Sequence, residues 1–263
     1  MPSFKEREKA RYEATRSALL FPRSGMKWGD YKQKPRPFCL PLEHADENLF
    51  DDVRSLALTH FRKYGIKWHD GKDKKPSNHL CDSQVCCANF LFPFAEEPTF
   101  LGDLLGPIFP ELTRMESLTE EGMRVDFEVI GEKNYLGERT GKNGRRTRGA
   151  NCTSADAAVV FSLADGTRHL VLIEWKYTEA YGVRNLSWSY GRTADGRVPK
   201  TDRREIYRPL LEAPDAPIDL TRLSSIDDLF YEPFYQFMRQ QLLAEEMRKA
   251  GESGASSAGT PQV

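Results

Sequence analysis

The 263-residue chain has no apolar run that approaches the roughly 18 residues needed to cross a bilayer. Residues 1–16 are highly charged and have no apolar segment typical of a secretory signal. The 5 cysteines are an odd number without a framework spacing, which favours reduced thiols over disulfides. These absences predict a cytoplasmic protein with no membrane partner.

The chain also has almost no net charge, because 38 basic residues stand against 39 acidic ones. A balance of −1 does not indicate a polyanionic partner, so a nucleic-acid surface would have to come from local patches. With 39% hydrophobic and 29% charged residues, the chain can bury the core of a soluble globular protein.

Composition divides the chain into three parts. Residues 1–45 are basic and broken by Pro35, Pro37 and Pro41, which predicts an arm that lies on the body. Residues 46–250 carry the apolar patterns of a single domain. Residues 251–263 are rich in Gly, Ser and Ala, which predicts a disordered tail.

Hydrophobic periodicity predicts helices before and after a central group of strands. Helical spacing occurs over residues 4–20, 47–64, 82–92, 99–108, 201–212 and 232–250. Strand patterns occur over residues 66–69 and 123–130, and as a hairpin within 154–179. This order predicts an α/β (α+β) fold, with a small mixed β-sheet flanked by helices and an N-terminal helical region.

The hairpin within residues 154–179 carries the candidate chemistry. Two apolar runs flank a polar Asp-Gly turn. Asp156 lies at the start of the first strand, whereas Glu174 and Lys176 end the second, so antiparallel pairing brings the three together. Charges at the end of a buried sheet cost stability unless they are paired or bind a metal.

The residues that carry this chemistry have a family pattern. Asp156 followed by the triplet Glu174-Trp175-Lys176 resembles the PD-(D/E)xK nuclease superfamily, which has the restriction-endonuclease-like fold. The separation of 18 residues (174 − 156) fits a hairpin of that kind. Alanine precedes Asp156 where the superfamily pattern has proline. The resemblance covers about residues 123–179, and helices before and after it look like those of a bacterial group of restriction endonucleases.

The resemblance implies a metal-dependent nuclease that hydrolyses DNA phosphodiester bonds, an endonuclease of restriction or defence type. Hard carboxylate oxygens of Asp156 and Glu174 suit Mg²⁺, for which Mn²⁺ can substitute. The family pattern adds the Trp175 carbonyl as a metal ligand. Lys176 would orient the attacking water or stabilise the charge that develops on the phosphate.

Three further polar residues are candidates for an auxiliary role in catalysis. The superfamily often places a polar residue on a helix before the sheet, which favours Gln84. Glu179 comes next, because it closely follows Lys176 in the chain, and Glu128 on the preceding strand is the third candidate.

The triplet Glu174-Trp175-Lys176 by itself also fits interpretations other than a nuclease site. The simplest is a Glu-Lys pair at a strand end with a solvated aspartate nearby. Within the same fold, the chain would also suit a DNA repair or processing nuclease, or a catalytically inactive DNA-binding protein. Intact Asp156, Glu174 and Lys176 argue against an inactive binder, since a binder has no reason to keep all three.

Two basic stretches flank the hairpin. Residues 137–149 and 190–204 concentrate cations whose expected partner is the DNA backbone. The DNA-binding candidates are Arg139, Lys142, Arg145, Arg146, Arg148, Arg192 and Arg197. The alternative is that both stretches are merely solvated flexible loops. A homodimer fits by analogy with endonucleases that cut both strands.

The histidines and cysteines of residues 69–87 invite comparison with zinc sites. Zinc sites usually combine two tight ligand pairs. Cys81 and Cys86 are five residues apart, and the adjacent Cys86 and Cys87 point to different sides of a helix. Small apolar cysteines in a buried helix are the favoured interpretation.

Overall fold

The computed structural model describes residues 1–141, 144–150, 152–193, 196–252 and 261–262. The first part of the chain contains α1 (Phe4–Thr15), β1 (Gly29–Tyr31), β2 (Lys34–Arg36), α2 (Asp51–Lys63), α3 (Ser83–Leu91) and α4 (Pro98–Leu105). The strands that follow are β3 (Arg114–Glu116), β4 (Val125–Val129), β5 (Ala155–Ser162), β6 (Arg168–Ile173), β7 (Trp188–Thr193) and β8 (Gly196–Asp202). The chain then forms α5 (Arg203–Leu211), α6 (Phe234–Lys249) and β9 (Pro261–Gln262).

The helix boundaries follow local capping rules. The Asp82 side chain accepts a 3.0 Å bond from the Val85 N–H and so caps α3. A left-handed Gly65, with φ of +63°, follows α2 directly after Tyr64. The helix predicted from residue 201 begins at Arg203 because Asp202 is its N-cap.

The short strand predicted over residues 66–69 is wrong. This segment has no regular strand because its backbone bonds to other partners. The Lys67 N–H donates to the Arg148 carbonyl at 3.0 Å, and the His69 N–H donates to the Gln84 side chain at 2.7 Å.

The main sheet is built around β5. On one edge β4 pairs antiparallel with the first half of β5 and β3 with the second half, and β6 pairs antiparallel along the other edge. The short β9 runs parallel to β6, so the sheet is mixed as predicted. The α+β class and a small mixed sheet are therefore confirmed.

Both faces of β5 are covered, which explains why its sequence is apolar at almost every position. Ala157, Val159 and Phe161 pack into the core formed with α2, α3 and α4. Ala158 and Val160 pack into the core formed with α5 and α6. This layering holds the start of β5 and the end of β6 rigidly between two sets of helices.

Residues 190–204 do not form the loop predicted for them. Strands β7 and β8 pair antiparallel as a separate two-stranded ribbon, with an irregular register between Ser189 and Tyr190. The periodicity of a strand is hard to recognise here because Gly, Pro and charged residues interrupt the apolar alternation.

The N-terminal residues are tied to one another by a buried arginine. The guanidinium of Arg16, which is only 5% exposed, donates to the carbonyls of Pro37 and Cys39 at 2.8 and 3.0 Å and to that of Gly25 at 3.2 Å. It also donates to the Lys27 carbonyl. A single side chain thus gathers four backbone carbonyls of the arm.

Two further observations concern the chain as a whole. Residues 253–260 and 263 lie outside the described residues, so the disordered tail stays a prediction. Within the described part of the chain, none of the helices combines the length and the apolar character of a membrane span.

Candidate active site

The hairpin β5–β6 brings the predicted charged groups together at one end of the sheet. Asp156 is the second residue of β5, and Glu174 follows the last residue of β6. An Asp156 carboxyl oxygen (Oδ2) accepts a 2.6 Å bond from the Trp175 N–H. The Lys176 ammonium (Nζ) lies 2.6 Å from Glu174 Oε1. Antiparallel pairing therefore produces the Asp156–Glu174–Lys176 group that the sequence predicts.

The electrostatics of this group are unbalanced towards negative charge. Burial, followed by the charge of Glu174, raises the pKa of Asp156 to about 7, although the Trp175 N–H and Lys176 oppose both. Burial also disfavours the charge on Lys176, but the bond to Glu174 and the negative charges of the neighbouring carboxylates together outweigh burial and raise the Lys176 pKa. The site thus contains more buried carboxylate than its one lysine compensates.

Glu128 adds a third buried carboxylate. Phe127 pairs with Ala157 and Val129 with Ala155, so the register places Glu128 opposite Asp156. Its side chain is buried, and burial, followed by the charge of Glu174, raises its pKa. The backbone of Glu128 has a φ of +49°, which is unusual for a residue with a side chain.

Gln84 holds this third carboxylate. Its side-chain Nε2 donates to Glu128 Oε1 at 2.5 Å and to the Lys67 carbonyl at 3.1 Å, while its Oε1 accepts from the His69 N–H at 2.7 Å. The Ser154 hydroxyl donates to the other oxygen of Glu128 at 2.6 Å. The amide of Gln84 is therefore committed to Glu128 and to the backbone beside it.

Gly149 makes room for the bonds between Gln84 and Glu128. It has a φ of +73°, and a Cβ there would lie 2.6 Å from the Lys67 carbonyl oxygen and 3.2 Å from Glu128 Cδ. A side chain at this position would displace the carboxylate or the backbone that holds it.

Glu179 shapes the turn that follows Lys176. Its Oε2 accepts a 2.7 Å bond from the Tyr177 N–H. Burial raises the pKa of Glu179, but hydrogen bonds from Ser83 and from the Tyr177 N–H lower it below its usual value. The Ser83 hydroxyl also lies 3.2 Å from the Trp175 carbonyl, so the carbonyl implied as a metal ligand competes with Glu179 for the same donor.

Sequence reasoning did not assign a role to Gln240 on α6. Its side-chain Nε2 donates to Glu174 Oε2 at 2.9 Å and to the Ser154 carbonyl at 2.7 Å. Gln236 and Gln240 are polar residues one helical turn apart on a helix with many apolar residues, and this spacing is the signal that the sequence carries. The partners of Gln240, however, come from distant parts of the chain.

The predicted DNA-binding residues of the 137–149 stretch differ in their surroundings. Arg139 and Arg145 are exposed, whereas Arg146 donates to the backbone carbonyls of Glu132 and Lys133. Arg148 is bound within the fold: its side chain is 16% exposed and its guanidinium lies 2.5 Å from Asp126 Oδ1. Lys142 lies outside the described residues.

Arg192 and Arg197 occupy the other predicted DNA-binding positions. They lie on β7 and β8 and are directly opposed in the register of the ribbon. Their role in DNA binding stays a prediction.

The Asp156–Glu174 pair suits a hard divalent cation. Its donors are carboxylate oxygens, the ligands that Mg²⁺ prefers, and the raised pKa of Asp156 reflects burial and then the negative charge of Glu174, which a cation would neutralise. Within the described ranges, no group of three or more His, Cys, Asp and Glu side chains is arranged to hold a metal ion. Water or substrate oxygens would have to complete the coordination of a bound cation.

Comparisons with known proteins identify a family. The family model described as "Restriction Endonuclease associating with ARP" matches residues 7–258, nearly the entire chain. No curated protein matches the chain significantly, and neither does any solved structure.

Proposed function

Since the chain belongs to the family of restriction endonucleases that associate with ARP, we propose that it is a nuclease of restriction type. It would cleave DNA phosphodiester bonds with Mg²⁺ at Asp156, Glu174 and Lys176. The observation that carries the proposal is the half-buried Asp156–Glu174 pair beside Lys176, whose excess negative charge a divalent cation would neutralise. The family match and this geometry are independent, and both favour a nuclease.

Asp156 and Glu174 would hold the metal, with Mn²⁺ able to replace Mg²⁺, and the Trp175 carbonyl is the third ligand proposed. When bound, the cation neutralises phosphate charge and acidifies a water molecule. Lys176 is held close to the metal ligands by its bond to Glu174, so its ammonium can orient the attacking water or stabilise the charge of the transition state.

The surrounding residues keep these groups in place. Gln240 holds one oxygen of Glu174 while Lys176 binds the other, which fixes the plane of that carboxylate. Glu128, held by Gln84 and Ser154, raises the negative charge of the site and would strengthen its attraction for a cation. Glu179 orders the turn that carries Lys176.

A cleavage assay with site variants tests this proposal. We expect wild-type protein to cleave DNA with Mg²⁺, and Asp156→Ala or Lys176→Ala to lose at least about a hundredfold in rate while staying folded. The assay would follow plasmid, linear and single-stranded DNA on gels, with and without Mg²⁺. Asp165→Ala is a matched control, because this exposed aspartate lies at the opposite end of the same hairpin.

The form of the substrate decides between related functions. Cleavage of covalently closed plasmid supports an endonuclease of restriction or defence type, whereas cleavage confined to ends or single strands would assign the chain to DNA repair or processing. If wild-type protein cleaves neither DNA nor RNA with Mg²⁺ or Mn²⁺, the proposed enzyme function is wrong.

A further inference from the structure

The N-terminal helix α1 packs against the segment that carries Lys176, although its sequence is strongly charged. Its sequence, FKEREKARYEAT, is charged on every side, and a capping box between Ser3 and Glu6 begins it. Glu8 is nevertheless buried, with 9% of its surface exposed, and it pairs with Arg11 of the same helix at 2.6 Å. A polar helix with a buried carboxylate must be held by specific polar contacts, since it has no broad apolar face to bury.

The contact that ties Glu8 to the body is made by Tyr177, the residue directly after Lys176. The Tyr177 hydroxyl donates to Glu8 Oε2 at 2.5 Å and lies 3.3 Å from the Tyr12 hydroxyl. The ring of Phe4 packs edge-on against the Tyr177 ring, with centroids 6.1 Å apart. Burial, followed by the bond to Glu8, raises the pKa of Tyr177, so the phenol keeps its proton and remains the donor.

The two residues after Tyr177 are also held by hydrogen bonds. Thr178 donates from its hydroxyl to the Cys81 carbonyl at 3.2 Å, and Glu179 accepts from the Tyr177 N–H at 2.7 Å. The contact with α1 differs from these because it joins the catalytic turn to the N-terminal end of the chain, 169 residues away in sequence.

We propose that α1 is a positioning element for Lys176, and that Tyr177 is the positioning residue through which Glu8 and Tyr12 act. The proposal rests on the proposed nuclease function of Lys176. Glu8 fixes the side chain of Tyr177, Tyr177 fixes its own backbone, and that backbone sets the direction from which the Lys176 ammonium approaches Glu174. The N-terminal helix thus belongs to the support of the active site.

Substitutions that keep or remove the bond between Tyr177 and Glu8 in the full chain test this role. We expect Tyr177→Phe to lower kcat on the order of tenfold, as loss of a supporting partner of a site residue typically does, with KM and DNA affinity changed less than about twofold. Glu8→Gln keeps an acceptor oxygen and should retain most of the wild-type kcat, whereas Glu8→Leu should match Tyr177→Phe. DNA affinity would be measured with Ca²⁺ in place of Mg²⁺.

Matched controls separate positioning from general stability. Tyr31→Phe removes a similar bond, from the Tyr31 hydroxyl to Asp70 at 2.8 Å, in the N-terminal arm, and Glu13→Gln changes an exposed residue of α1. Both should leave kcat unchanged. The combination of Tyr177→Phe and Glu8→Leu should lose no more kcat than either alone, because both remove one contact.

Several outcomes would overturn the proposal. A kcat within twofold of wild type in Tyr177→Phe would do so, even if that variant melts at a lower temperature, because Tyr177 would then support only the fold. Equal losses in Glu8→Gln and Glu8→Leu would also do so. If wild-type protein and Asp156→Ala are both inactive, the proposed nuclease function is wrong. If wild-type protein is active and Tyr177→Phe is equally active, only the positioning role is wrong, so the two failures are distinguishable.

Discussion

Asp156 must be ionised to bind a cation, yet the folded chain makes its ionisation costly. The carboxyl is buried beside Glu174, and its pKa rises from 3.8 to about 7. At neutral pH a bound proton and a bound metal would therefore compete for the same carboxyl. The same features that make the site suitable for a divalent cation also make it sensitive to pH.

This competition predicts how stability depends on pH. Between pH 3.8 and about 7 the folded state keeps a proton on Asp156 that the unfolded chain has lost. Metal-free protein should therefore become less stable as pH rises through this window, by up to about 1.4 kcal/mol per pH unit from this group. Urea unfolding of wild type and Asp156→Asn at pH 4 to 8, with EDTA present, measures the difference.

Asp156→Asn should lose this contribution and should be the more stable protein near pH 7 without metal. Saturating Mg²⁺ should stabilise wild type more than the variant, increasingly so at higher pH. Identical pH profiles for the two proteins would show that Asp156 ionises normally, which would remove the electrostatic argument for a cation at this site.

Whether a basic residue can contact a phosphate backbone depends on the secondary-structure element that carries it. In the 137–149 stretch, Arg148 is paired with Asp126 and its guanidinium lies 5.5 Å from the centre of the Tyr64 ring. Its contacts stabilise β4 and the backbone next to Glu128. The ribbon β7–β8 instead places Arg192 opposite Arg197, away from the main sheet.

The ribbon predicts a specific salt dependence. Replacing both Arg192 and Arg197 with Ala should weaken DNA binding and lower the slope of log K against log salt by about 2, since each phosphate contact contributes about 0.9. Binding would be measured by fluorescence anisotropy with Ca²⁺ between low and physiological salt. Arg222→Ala, a change at an exposed arginine after α5, is the control for the loss of a surface charge outside the ribbon.

Arg148→Ala should have the opposite effect to the variant of the ribbon. It should lower thermal stability because Asp126 would lose a buried partner, but it should leave the salt slope unchanged. If the ribbon variant keeps the wild-type slope while Arg148→Ala lowers it, Arg148 contacts DNA and the ribbon does not.

At the scale of the whole molecule, the two cores on either side of β5 hold one Asp156–Glu174–Lys176 group per chain. In the proposed nuclease, one such group would cut one strand at a time, whereas a duplex has two strands. A homodimer, proposed here by analogy with other endonucleases, would align two groups on opposite strands.

Subunit mixing tests this arrangement. If the active form is a homodimer, excess Asp156→Ala should form mixed dimers with wild type, and these should nick closed plasmid instead of cutting both strands. Gels would follow the ratio of nicked to linear product as the variant is added. A ratio that stays constant while the rate falls would indicate that single chains act independently.

Local rules predict much of this protein from its sequence. Two apolar runs around an Asp-Gly turn predict the hairpin, and antiparallel pairing then requires Asp156 to lie beside the segment from Glu174 to Lys176. Asp82 marks the start of α3 because capping depends on residues three apart. These features need no knowledge of the rest of the chain.

Tertiary structure decides which residues support the site. Gln84 meets Glu128 across 44 residues of sequence, and Glu174 meets Gln240 across 66. Arg148 pairs with Asp126 within the fold, although its sequence context is that of a solvated loop. No local pattern specifies such partners, because they depend on how separately formed elements pack. The sequence alone thus determined the hairpin and its charges, while packing decided which carboxylates, amides and helices surround them.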